Sequence, residues 1–111
     1  HDDTALARAE ELAGQCVLQA PSNSRYQNLL AHVQLLSGKL DDADRSLAVA
    51  RQERQHPSGL DDLVASLIAS ARDDQPGAEK HAAAARSWLR DVQPGNPRMK
   101  WLLGQFLPES P

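Results

Sequence analysis

Aromatic residues make up only 4% of this 111-residue chain, and cysteine occurs once. Lone Cys16 excludes an internal disulfide, so cysteine usage does not assign a redox compartment. β-Branched residues are scarce, which leaves strands poorly supplied. No run approaches the ~20 apolar residues that a membrane-spanning helix needs, and no signal-peptide pattern is present. Positive charge is not in excess: the formal net charge is -3, and the broad basic face of a nucleic-acid binder is missing. The sequence also lacks a phosphate-cradling glycine loop and a serine nucleophile elbow. Its four histidines show no metal-ligand spacing. Nothing in the pattern is built for chemistry, so the chain is read as non-enzymatic and without a cofactor or metal.

What is present is alanine and leucine in short blocks, punctuated by most of the seven prolines and six glycines. The length fits one domain at most. Asp3-Thr4 opens a helix to about Gln19, closed by Ala20-Pro21. Ser22-Asn23-Ser24 offers N-cap oxygens to a second helix, from about Arg25 to Ser37, which Gly38 ends. A third spans about Leu40 to Gln55, with Asp41 and Asp42 in its first turn, where carboxylates favour the helix dipole. His56-Pro57 stops it. Ser58 with Asp61 starts a fourth, to about Arg72. "DDQPG" at 73 to 77 leads into a fifth that ends near Val92. Asn96 as cap and Pro97 as first residue start a sixth. The short breaks imply antiparallel neighbours.

Small residues recur through these helices. Ala43, Leu47 and Ala50 return as Ala78, Ala82 and Ala85, 35 positions later, and precede as Ala9, Ala13 and Cys16, 34 positions earlier. Leu30-Ala31 is echoed by Val64-Ala65 after 34 residues. A period of this length with two helices per unit is the signature of a solenoid. The glycine break at Gly38 is then a turn between the two helices of one unit, and the alanines let the second helix nest against its neighbours.

On Leu30-Ala31, Gly38, Leu40, Ala43, Leu47, Ala50 and the spacer prolines Pro21 and Pro94, the chain resembles the tetratricopeptide repeat family. The resemblance covers nearly the whole chain. It departs at Gln34, where an aromatic is usual, at Pro57, which lies two residues late, and at the breaks 73 to 77 and 92 to 97. It implies an all-α fold, a right-handed α-solenoid of about six helices in antiparallel pairs. Residues 1–21 would be the second helix of a partial repeat. Residues 22–56 and 57–93 would be two repeats, and 94–111 the first helix of a following repeat or a cap.

The same resemblance implies a concave groove lined by the first helix of each unit, where a peptide or partner helix binds. Carried over residue by residue, the groove positions are Arg25, Asn28, His32 and Leu35, then Asp62, Ser66 and Ala69, then Arg98, Trp101 and Gln105. Asn28, Asp62, Leu63 and Leu102 depart from the carboxylate-clamp subtype that grips chaperone tails. The implied function is a non-catalytic protein-interaction scaffold with a protein or peptide partner, without nucleic acid or direct membrane insertion. The repeats resemble those of bacterial secretion, pilus and envelope-assembly proteins, which implies a piece of such a protein with flanking chain expected at both ends. The alternatives are a sensor or regulatory segment of a transcription or signalling protein and an accessory domain of an enzyme.

The bland reading accounts for most other candidates. Four Asp-Asp pairs fall at helix termini, where capping explains them. Cys16 shares its repeat position with Ala50 and Ala85 and is expected to be a buried thiol. Trp88 is expected to pack between helices. Arg98 and Lys100 put positive charge at the start of the sixth helix, against its dipole. Trp101 has two readings: it packs against the fifth helix as core, or with these cations it forms a site for an acidic and apolar group.

Overall fold

The computed structural model describes residues 3–55 and 58–92, apart from the side chain of Val92. All regular structure among them is helical: α1 (Asp3–Gln19), α2 (Ser24–Leu36), α3 (Leu40–Glu53), α4 (Gly59–Ala71) and α5 (Gln75–Val92). The sixth expected helix lies outside the described residues. Two compact units divide between Pro57 and Ser58. The first contains α1 packed on α2 and α2 packed on α3; the second is the pair α4 and α5.

The helix starts follow from their caps. Asn23 Oδ1 accepts from the N–H groups of Arg25 (3.0 Å) and Tyr26 (3.3 Å), satisfying donors that the first turn of α2 leaves open. Ser58 Oγ accepts from Leu60 N–H at 3.2 Å and does the same for α4. Asp74 Oδ1 accepts from Gly77 N–H at 3.0 Å in the first turn of α5. Asp41 and Asp42 occupy the first turn of α3, where no side chain caps the helix.

The turns inside the two pairs are one motif used twice. After α2, Lys39 N–H donates to Gln34 O at 2.9 Å and Gly38 N–H to Leu35 O at 3.0 Å. After α4, Asp74 N–H donates to Ala69 O at 2.9 Å and Asp73 N–H to Ser70 O at 3.1 Å. Nested bonds of this kind form a Schellman motif, which places one residue in the left-handed region. Gly38 takes that position with φ 80°, and Asp73 takes it with φ 59°. The break at 73 to 77, which looked unlike a glycine turn, is the same turn with aspartate in glycine's place.

Corresponding atoms of the two turns are 35 residues apart, as are the caps Asn23 and Ser58 and both ends of α2 and α4. The first helices therefore recur at 35, not at the 34 suggested by Leu30-Ala31 and Val64-Ala65. A shift of one residue turns a helix by about 100°, enough to exchange one face for another.

The second helices carry the expected small residues inward. Ala43 and Ala50 are fully buried on α3, with Leu47 between them, and Ala78, Ala82 and Ala85 are buried on α5. On α1, Ala13 is buried but Ala9 and Cys16 are only partly covered. Cys16 thus departs from the expected buried thiol, because its side of α1 has less packed against it than Ala50 has on α3. The core of the second unit gathers Leu63, Ala82, Ala85 and Leu89, with Leu67 and Trp88 packed on it.

Candidate functional site

α2 divides lengthwise. Gln27, Ala31 and Val33 are buried, and Gln27 Nε2 donates to Pro21 O at 3.3 Å, tying the helix to the preceding turn. Gln34 Oε1 accepts from Ser46 Oγ at 2.7 Å and joins α2 to α3. The opposite side of α2 carries Arg25, Asn28, His32 and Leu35, all exposed or half-buried. Leu29 and Leu36, 46% and 44% exposed, extend that side. At 100° per residue these six positions fall on one face spanning about a third of the helix.

Sequence reasoning missed Leu29 and Leu36. The signal was the doubled leucines at 29–30 and 35–36, which exceed what a single packed stripe can bury.

His32 sits half-buried on this face, and burial pushes its imidazole below the usual value of 6.5. Loss of water disfavours the charged ring. The linkage follows with a definite sign: protonation favours the unfolded chain, whose histidine titrates near ~6.5. Stability is complete above that value and is lost as pH falls through the lower folded value. The melting temperature should therefore drop further between pH 7.5 and 5.5 in the parent than in His32→Gln. Equal drops in the two proteins would refute this role for His32.

The three positions expected on the second unit are placed elsewhere by the one-residue shift. Asp62, Ser66 and Ala69 correspond to Gln27, Ala31 and Gln34, on the side of the helix that packs. Ser66 is buried, and its Oγ donates to Ala78 O on α5 at 2.9 Å. Asp62 Oδ1 lies 3.8 Å from His81 Nδ1 on α5, an ion pair only when the ring is protonated. Ala69 is buried. The true counterparts of Arg25, Asn28, His32 and Leu35 are Leu60, Leu63, Leu67 and Ser70. Leu63 is buried in the core, Leu60 and Leu67 are half-buried, and Ser70 is exposed. The structure thus brings together the four expected residues on α2 but not the three on α4. Arg98, Trp101 and Gln105 lie outside the described residues.

A cavity of about 340 Å³ opens beside α1, lined by Asp3, Leu6, Ala7, Glu10, Ser37 and Lys39. Lys39 Nζ donates to both carboxylate oxygens of Glu10, at 3.0 and 2.9 Å. With the lysine half exposed, the pair contributes little to stability. It fastens the α2–α3 turn to α1.

Among the described residues no group of three or more histidine, cysteine, aspartate or glutamate side chains could hold a metal ion. None of the described helices is long and apolar enough to cross a membrane. No protein-family model matches the chain, and no curated protein or solved structure matches it.

Proposed function

We propose that the chain is a non-catalytic interaction scaffold of the tetratricopeptide type, in which successive helix pairs stack as a solenoid and bind a peptide or partner helix. The reading rests above all on the 35-residue recurrence of caps, turn and buried small residues between the pairs α2/α3 and α4/α5. A repeated pair of this kind presents one face of its first helix outward, and arrays of such pairs use that face for binding. The surface assigned to the partner is the side of α2 carrying Arg25, Asn28, Leu29, His32, Leu35 and Leu36. It combines a guanidinium, an amide and an imidazole with apolar area, which suits an amphipathic peptide that supplies a carboxylate for Arg25. A role within a bacterial envelope-assembly or secretion protein fits the resemblance at family level.

Peptides selected from a display library against the chain provide the test. Arg25→Glu and Leu29→Glu, both at exposed positions, should each weaken the selected peptides by ~10-fold or more, about 1.4 kcal/mol. Neither should lower the melting temperature. Undiminished binding by both variants would overturn the assignment of this face.

A further inference from the structure

A straight seam runs along the open side of α2. Arg25, Leu29, His32 and Leu36 follow one another by four, three and four positions. At 100° per residue all of them lie in a band about 60° wide and about 16 Å long. Arg25, Leu29 and Leu36 are exposed and His32 is half-buried. Alternating steps of three and four are the pattern through which one helix packs along another.

The seam is particular to α2. Caps and turn recur 35 residues later, but the corresponding positions of α4 are Leu60, Val64, Leu67 and Ala71. These carry no charge, and Val64 is buried. The repeated framework therefore does not require a cation and two exposed leucines on this stripe, which leaves recognition as their use.

Spacing and charge describe the occupant. Leu29 and Leu36 stand about 10.5 Å apart along the axis, and a helix lying on α2 offers side chains at that interval from residues seven apart. An extended peptide turns alternate side chains to one face, about 6.8 or 13.6 Å apart, and matches neither leucine when seated on the other. Arg25 lies four positions before Leu29, and among the described residues no ion pair engages its guanidinium. A second copy of the seam does not supply the missing anion, because α2 contains no aspartate or glutamate. Aligned in the same direction it would set Arg25 against Arg25, and in the reverse direction against Leu36.

Resting on the assignment of this face to a partner, we propose that the occupant is an amphipathic helix of three to four turns from another protein. It carries two apolar residues seven apart, for Leu29 and Leu36, and an acidic residue four positions beyond the one that meets Leu29, for Arg25. A free segment of this length is marginally helical in water and orders as it binds.

Display-selected peptides that lose ~10-fold or more in affinity to Leu29→Glu use this seam and are the probes. They should share the apolar spacing and the acid, and gain helical circular dichroism when bound. A side-chain lactam between two outward-facing residues four apart should tighten them by ~3-fold or more, because less freedom is lost on binding. Proline in the middle of the segment should weaken them by ~10-fold or more. Replacing their acid by arginine should weaken binding to the parent and restore binding to Arg25→Glu. Peptides that respond to Leu29→Glu yet tolerate proline, or are weakened by the lactam, bind in extended form; they would overturn the helical occupant and leave the face assigned. A selection without any peptide sensitive to Leu29→Glu would overturn both. Light scattering tests the remaining occupant: a parent dimer that Leu29→Glu dissociates would place a second copy on the seam and overturn the proposal, whereas a monomeric parent supports it.

Discussion

Replacing Gly59 by alanine should destabilise the second unit by about 1–3 kcal/mol, the usual range for a methyl group forced into filled space. A Cβ at this position would lie 2.6 Å from Cε3 and 2.8 Å from Cδ2 of Trp88, and 3.0 Å from the Trp88 Cβ. Rotating the indole relieves the first two contacts but not the third, because the Cβ moves only with the α5 backbone. The ring has little room to turn in any case, since it packs on the cluster of Leu63, Ala82, Ala85 and Leu89. Opposing this is alanine's better helix propensity, about 1 kcal/mol in a helix interior. Gly59 is the first residue of α4, where that gain is smaller. The clash should win. Urea denaturation of Gly59→Ala, Trp88→Ala and the double variant checks the cause. Alanine at 59 should be costly beside tryptophan and neutral or stabilising once the indole is gone, a strong positive coupling. An equal cost in both backgrounds would place the effect in the backbone rather than in the ring contact.

The helix boundaries were legible because they are set by local chemistry. Asn23 and Ser58 cap the helices they were expected to cap, and Gly38 takes the left-handed turn position that its lack of a side chain suits. The equivalent turn at Asp73 was less visible, because aspartate also reads as a helix-start residue, and only neighbouring Asp74 plays that part. The register of α4 was misread for a related reason. Val64-Ala65 looks like Leu30-Ala31 by hydropathy, whereas Ser66 looks like a surface residue. A serine is nearly as small as an alanine, however, and the carbonyl of Ala78 accepts from its hydroxyl. It can therefore fill a small-residue position inside a pair at little cost in unsatisfied polarity. Cap-to-cap alignment, Asn23 with Ser58, carries the correct spacing of 35 and was present in the sequence. The half-covered state of Cys16 and the contact of Trp88 with Gly59 depend on which side of a helix a neighbour occupies. Composition and periodicity do not encode that.

Ala43→Leu is expected to be the most damaging substitution in the first unit, with a loss at the upper end of the ~1–3 kcal/mol range for overpacking. Ala43 is fully buried on α3, and Ala31 on α2 is fully buried as well. The equivalent positions of the second pair, Ser66 and Ala78, are in direct contact through a hydroxyl and a backbone carbonyl. Helices that meet through a hydroxyl and a carbonyl leave no space between them for three further carbons. Packed interiors accommodate such an insertion only by off-rotamer side chains or by moving a backbone. Here the movement is constrained, because Gln34 holds Ser46 at 2.7 Å one turn further along α3. Leucine is a good helix former, so propensity does not contribute to the loss. Ala48→Leu supplies the control: Ala48 is exposed on the same helix, and the same chemical change there should alter stability by less than ~0.5 kcal/mol. In urea the Ala43 variant should show a lower midpoint with an unchanged slope, as expected for a loss of stability without a change in the surface exposed on unfolding. If the two variants lose stability equally, the close approach of α2 and α3 at Ala43 is refuted, and with it the nesting role of the recurring alanines.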